Sequence, residues 1–216
     1  LLGLETDIAQ WPPVQVQSED NTWRAVRSFG QMGTERTLAA GGDGVLRPAD
    51  PADPPPLEEP MPISAAETFA FETEPFAGGI HLSGQVFLDA TIALDVPDAH
   101  FAVTVRETGT NRVLTTGYLS APHAESLMRQ VPPQPGHPVP YRIRTYPFDA
   151  DVAPGNAVRV EVSSGGGALD LASTGTHWTG QLHAAAVRLP VVEAECGIAV
   201  ASTQPPRGPV ADCAEG

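Results

Sequence analysis

From residue 86 the chain sets an apolar side chain at every second position. Val86, Leu88, Ala90, Ile92 and Leu94 alternate with a register that includes Gln85, Asp89 and Thr91. A period of two is the mark of a strand with one buried face. After the break at Val96-Pro97-Asp98 the alternation resumes, with Phe101, Val103 and Val105 against Ala102, Thr104 and Arg106. Two such runs joined by a short Pro-Asp turn predict a hairpin over residues 85–106, and its apolar face requires a second layer to cover it. The expected fold class is therefore an all-β sandwich.

The same reasoning predicts further strands along the chain. Val14 and Val16 alternate with glutamines before the turn Ser18-Glu19-Asp20-Asn21, and short strands follow at 23–26 and 37–40. Others are expected at 68–72, 80–82, 113–119 and 141–146, at 158–163 beyond the turn Pro154-Gly155-Asn156, and at 181–189. Residues 121–130 have room for a turn or two of helix. Residues 47–62 carry seven prolines. Proline lacks an amide donor and fixes its own φ, so this stretch is excluded from a helix or a central strand and is expected as an extended arm on a surface. A second Pro-rich crossing is expected at 132–138. About ten strands with long crossovers suit a jelly roll better than a meander.

Length and composition narrow the function classes. The chain has 216 residues, 23 prolines, 21 glycines, 12 arginines, no lysine and a net charge of -14. So acidic a surface repels phosphate backbones and anionic lipid, which argues against nucleic acid and membrane partners. No run reaches the length of an apolar membrane span, and the chain opens Leu1-Leu2-Gly3-Leu4 with no charged-then-apolar leader, so it reads as a piece of a longer polypeptide. Cys196 and Cys213 are expected to form a disulfide closing the last segment, worth about 3 kcal/mol for a loop of that size and implying a secreted or periplasmic setting. The competing reading is two separate thiols.

Candidate chemistry is sparse. The chain contains no Gly-x-Ser-x-Gly nucleophile turn, and Ser163 and Ser164 precede glycines in a stretch that reads as a strand terminus. The six histidines, His81, His100, His123, His137, His177 and His183, lack zinc-site spacing. Asp50, Asp53, Glu58 and Glu59 lack the alternation of a calcium loop. No catalytic residue, metal ligand or cofactor is expected. Trp11, Trp23 and Trp178 are the only candidates for a sugar-stacking platform, and edge-of-core anchors are the simpler reading.

Several stretches, in order, resemble one family. They are Asp50-Pro51-Ala52-Asp53-Pro54, Phe71-Glu72-Thr73-Glu74-Pro75-Phe76, and Gly84-Gln85-Val86 leading to Val96-Pro97-Asp98-Ala99-His100-Phe101. Glu125-Ser126-Leu127 and Ala153-Pro154-Gly155 leading through Arg159-Val160-Glu161-Val162-Ser163-Ser164 complete the set. Together they resemble the C-terminal domain of the X-Pro dipeptidyl-peptidase and cocaine esterase (CocE/NonD) family of serine hydrolases, over residues 12–190. The resemblance implies a galactose-binding-like jelly roll that follows an α/β-hydrolase domain, which holds the catalytic triad. It implies packing on that catalytic domain, the chain's partner, and help in walling its substrate pocket. The sequence departs from the family at residues 165–170, a Gly-rich run, and in the cysteine-bearing tail.

The expected organisation is a boundary segment at 1–12, a jelly roll at 13–190 with its Pro-rich arm at 47–63, and a tail at 191–216. Leu57, Met61 and Ile63 of the arm are the candidates for contact with the neighbouring domain or its pocket, with covering of the sandwich edge as the alternative. The expected function is a non-catalytic accessory domain of a bacterial serine hydrolase acting on peptide or ester bonds. The alternative is a stand-alone carbohydrate-binding module, and a homo-oligomer stays open.

Overall fold

The computed structural model describes residues 14–18, 21, 23–26, 33–50, 55–165 and 177–192. Among the described residues fourteen strands run in chain order: β1 (Val14–Gln17), β2 (Trp23–Val26), β3 (Thr34–Ala40), β4 (Val45–Pro48), β5 (Pro56–Ser64), β6 (Phe69–Thr73) and β7 (Ile80–Gly84). They continue with β8 (Phe87–Leu94), β9 (His100–Glu107), β10 (Arg112–Ser120), β11 (Pro138–Arg144), β12 (Phe148–Val152), β13 (Val158–Ser163) and β14 (Thr179–Val191). Among the described residues the only helical element is a three-residue 3-10 turn, Ala121–His123. Of the turn or two of helix for which residues 121–130 have room, this one short turn forms, started by Pro122, and no apolar stripe of helical period follows it to face the core.

The fold is a jelly-roll β-sandwich. One layer has β8 between β11 and β14, and β14 carries β5 and then β3 on its other edge. The second layer runs β10-β9-β13-β6. Strand β4 pairs antiparallel with β3 and parallel with β6, which joins the layers along one side. On the other side a single bridge links Gly117 to Thr145. Backbones approach so closely there that a Cβ on Gly117 would lie 2.4 Å from the Arg144 carbonyl oxygen. The small β1-β2 hairpin forms a sheet of its own.

The predicted hairpin over 85–106 is not formed. Both strands exist, but β8 pairs with β11 and β14 while β9 pairs with β10 and β13, so residues 95–99 cross from one layer to the other. The apolar sides of the two strands belong to one core from opposite layers. Leu88, Ala90, Ile92 and Leu94 of β8 and Phe101, Val103 and Val105 of β9 are all buried in it. An aromatic cluster spans the gap, where Phe101 meets Tyr141 of β11 and Trp178 edge-on, each at a ring-centroid distance of 5.3 Å. Each fully buried Leu, Ile or Phe contributes about 1.5–3 kcal/mol.

The longest strand, β14, keeps its apolar side inward only by a bulge. Leu182 faces Ile92 and Ala185 faces Ala90, with a register shift between Leu182 and Ala184. His183 is the extra residue, and past it the buried set changes from even to odd numbers: Leu182, then Ala185, Val187, Leu189 and Val191.

The Pro-rich arm resolves into β4 and β5. Among the described residues β5 pairs with β14 alone, with Met61 opposite Leu182 and Ile63 opposite Gly180. An edge strand tolerates Pro56, Pro60 and Pro62 because its outer side asks for no amide donors. Alternation also failed to flag β12, whose sequence FDADV pairs with β7 with two of its five positions acidic.

Candidate functional site

The outer face of the β11-β8-β14-β3 layer is closed by its own charges. Asp89, at the middle of β8, is buried although it points away from the core. The Arg142 side chain on β11 donates to it from Nε at 2.5 Å and from Nη2 at 3.1 Å, and Arg188 on β14 donates from Nε at 2.7 Å. Arg188 Nη1 also lies 3.6 Å from Glu35 of β3. The hydrogen bonds that Arg142 donates to Asp89 hold its guanidinium above its ordinary pKa. Two arginines on one carboxylate and a second carboxylate beyond them link four strands, so a face of alternating charge needs no further cover. The second layer repeats the device on its outer side, with Arg106 on Glu161 at 2.9 Å, Arg159 on Glu161 at 3.1 Å and Arg159 near Glu72 at 3.6 Å.

A third cluster fastens the N-terminal hairpin. The Asp149 side chain on β12 is fully buried, forms an ion pair with Arg24 of β2, and accepts a hydrogen bond from Ser18 just after β1. His81 of β7 lies between two carboxylates, with Nε2 3.3 Å from Asp149 and Nδ1 2.5 Å from Asp151. The β1-β2 hairpin thus meets the sandwich at one buried carboxylate.

The large exposed apolar side chains fall in one stretch of sequence, with Val113 and Tyr118 on the outer side of the second layer and the others in the links that flank β11. Among the described residues the large ones are Val113, Tyr118, Leu127, Met128, Val131 and Tyr146, all between 113 and 146. Met128 is 95% exposed, Leu127 73% and Tyr146 60%. Tyr118 lies on β10, Leu127, Met128 and Val131 lie in the crossover from β10 to β11, and Tyr146 lies in the link from β11 to β12. The crossover is anchored at both ends, since Val131 N donates to the Pro122 carbonyl at 2.7 Å and Gly136 N to the Leu94 carbonyl at 2.7 Å. Tyr146 N donates to the Thr116 carbonyl of β10 at 2.8 Å, which sets it beside that edge.

The arm residues expected to reach a neighbouring domain sit on the sandwich itself. Ile63 is buried in the core, and Leu57 and Met61 are half-buried against it. Cys196, Cys213, Trp11, Asp53 and Ser18's neighbours Glu19 and Asp20 lie outside the described residues, so the disulfide expectation has no structural counterpart here. Trp178 is buried against Phe101, which removes it as a sugar platform, and Trp23 is half-buried on β2.

Ser64, Asp95 and His183 line one open cleft, but Ser64 and His183 are not hydrogen-bonded to each other. The Asp95 carboxylate is occupied by Thr179, whose N donates at 2.8 Å and whose Oγ1 donates at 2.6 Å. A second cleft of about 800 Å³, lined by Leu38, Leu46, Phe76, Ile80 and Val191 among others, holds no serine, cysteine or histidine. No group of three His, Cys, Asp or Glu side chains among the described residues is placed to hold a metal ion. No helix among them is long and apolar enough to cross a membrane.

Comparison with solved structures returns the same fold in larger hydrolases. An aminopeptidase from the marine sediment archaeon Thaumarchaeota archaeon aligns with a TM-score of 0.66 at 14% identity, over 84% of this chain and 41% of its own. A CocE/NonD family hydrolase from Staphylococcus aureus gives 0.67 at 13% identity, over 88% and 43%. An alpha-amino acid ester hydrolase gives 0.63 at 15% identity, over 83% and 41%. The chain therefore spans about two fifths of the length of these proteins. A comparison with curated proteins found no match. The model of one family, the X-Pro dipeptidyl-peptidase C-terminal non-catalytic domain, matches residues 6–178. A match over most of the length makes this chain a member of that family, the X-Pro dipeptidyl-peptidase C-terminal non-catalytic domain.

Proposed function

We propose that this chain serves as the accessory domain of a serine hydrolase acting on peptide or ester bonds, packing on the catalytic domain and completing one wall of its substrate pocket. The observation that carries this reading is the family match over residues 6–178, in a family named for a non-catalytic C-terminal domain. The fold neighbours support it, because each is a hydrolase more than twice as long as the part it shares with this chain. Acyl transfer through a serine requires a nucleophile, an oriented base and oxyanion donors, and these are assigned to the preceding domain. The role assigned to Leu57, Met61 and Ile63 is to hold β5 on the sandwich margin. A Cys196–Cys213 disulfide and a location outside the cytoplasm belong to the same reading; thiol titration of the unreduced protein tests the first, and fractionation of the cells that make it tests the second.

The test compares two polypeptides, this chain alone and the hydrolase that carries it. Alone, the chain is expected to leave an X-Pro amide and an aryl ester unhydrolysed and to take no fluorophosphonate label. The longer polypeptide is expected to turn over one of the two, with the label on a serine outside these 216 residues. Labelling of a serine within this chain would overturn the reading.

A further inference from the structure

We propose that the exposed apolar side chains Leu127, Met128, Val131 and Tyr146, in the two links that flank β11, form the face that docks on the catalytic domain of the same polypeptide. This inference rests on the accessory-domain reading and adds where the contact is made.

Three observations converge on that face. The first is exclusion. The outer sides of both layers carry cross-strand ion pairs, Arg142-Asp89-Arg188-Glu35 on one and Arg106-Glu161-Arg159-Glu72 on the other. Covering those charges with protein would require new partners for each of them, so docking there is opposed.

The second is the concentration of apolar exposure. Four of the six large exposed apolar side chains of the described residues, Leu127, Met128, Val131 and Tyr146, lie in the links that flank β11, whereas Val113 and Tyr118 stand opposite Arg106 and Ala102 on the outer side of the second layer. The four include a methionine and a tyrosine, residue types enriched at the centre of interfaces. A rim is present as well, since Arg129 and Glu125 flank Leu127 and Met128 and form an exposed pair at 3.8 Å. Prolines 132, 133, 135 and 138 remove amide donors from the crossover and from the start of β11, which discourages strand-to-strand addition and favours side-chain contact.

The third is position. In a C-terminal domain the catalytic domain comes earlier in the chain, and the earliest described element here is the β1-β2 hairpin. That hairpin is pinned through Ser18 and Arg24 to Asp149, three residues beyond Tyr146. The chain's entry thus lies beside Tyr146 at the β11-β12 link, and the crossover with Leu127, Met128 and Val131 follows at the other end of β11. The fold neighbours have more than half of their length outside the shared part, ample to supply the opposing surface.

Amide hydrogen exchange tests the assignment, comparing this 216-residue chain with the hydrolase polypeptide that carries it. The expected result is about tenfold or greater slowing of exchange at residues 124–131 and at Tyr146 in the longer polypeptide. Amides on the outer faces, such as Thr104 and Arg159, are expected to keep their rates. A second arm uses Leu127→Glu with Met128→Glu, expected to abolish the added protection in the longer polypeptide while leaving far-UV circular dichroism of the isolated chain unchanged. Slowing at the outer faces instead would overturn this docking face and leave the accessory role standing. No slowing anywhere would overturn the accessory role, and the face with it. Protection of 124–131 already present in the isolated chain, together with a dimeric sedimentation mass, would assign the face to a second copy and overturn the proposal.

Discussion

The outer face of the β11-β8-β14-β3 layer and the stretch from 113 to 146 both border solvent, yet they are built on opposite terms. The first has its polar groups satisfied within the domain. Asp89 is buried under two arginines that reach it from the strands on either side, and the second of these continues to Glu35. The second region leaves Leu127, Met128 and Tyr146 largely in water, though its backbone is tied down at Val131, Gly136 and Tyr146. Ordered backbone beneath exposed apolar side chains is what a docking surface requires, since little conformational freedom remains to be lost on contact. The comparison teaches that satisfaction of charge, more than exposure, separates a finished face from one awaiting a partner.

The comparison is most severely strained at Asp89. Asp89→Ala removes the acceptor shared by Arg142 and Arg188 and is expected to cost about 3 kcal/mol, the scale of breaking a buried ion pair from one side. Urea unfolding of the chain measures it, and a loss under about 0.5 kcal/mol would mean that the charged face is no more closed than the apolar one.

Gly117 marks the seam between the two regions, where β10 touches the link after β11. Its Cβ position lies within 2.4 Å of a carbonyl oxygen, so Gly117→Ala is expected to cost about 2 kcal/mol by forcing the backbones apart. Thermal unfolding reads this directly, and the exchange rate at Tyr146 is expected to rise with it.

Glu107 provides a pH handle at the base of β10. It is buried, and it accepts hydrogen bonds from Asn156 Nδ2 and Ala153 N at 2.8 Å each, from Thr110 at 2.8 Å and from Arg112 Nε at 3.1 Å. Burial pushes its pKa up, but the bonds from Asn156, Ala153 and Thr110 and the Arg112 charge outweigh that and bring it from 4.5 to about 2. A folded-state pKa below the unfolded value stabilises the fold at any pH above 4.5 and ceases to do so as pH falls through about 2. Glu107→Gln is therefore expected to cost about 1.5 kcal/mol at neutral pH, with the gap to the parent closing between pH 4.5 and 2. Urea titrations across that range give the answer, and a gap that widens toward acid would contradict it.

The smallest effect belongs to the apolar stretch itself. Leu127→Ser with Met128→Ser is expected to change the stability of the isolated chain by less than about 0.5 kcal/mol, because neither side chain is buried by its own domain. A loss as large as that of Asp89→Ala would show that these residues serve the sandwich and would erase the contrast.

Much of the fold was legible in the residue pattern. Alternation located β1, β2, β6, β8, β9, β10, β11 and β13 to within a few residues, and the members of β8, β9 and β13 that enter the hydrophobic core are the ones it named. It missed β12, where acidic residues at Asp149 and Asp151 interrupt an otherwise apolar run, and it read the proline-laden β5 as an arm because most of its length is denied to an inner strand. The absence of a nucleophile turn and the ordered family motifs were likewise readable without coordinates. The apolar stretch was not, because Leu127 and Met128 look like any other apolar pair until their burial is known.

What the sequence determines here by itself is which residues face inward along each strand, since a period of two needs only the next few positions to be expressed. Partner choice was decided by the tertiary structure. The apolar side of β8 is equally compatible with a neighbour in its own layer or a partner across the core, and only the assembled sandwich places β9 in the opposite layer. The same holds for Asp89, whose two arginines stand 53 and 99 residues away along the chain. Charges so distant meet only when strands are brought into register, and no local pattern encodes that meeting.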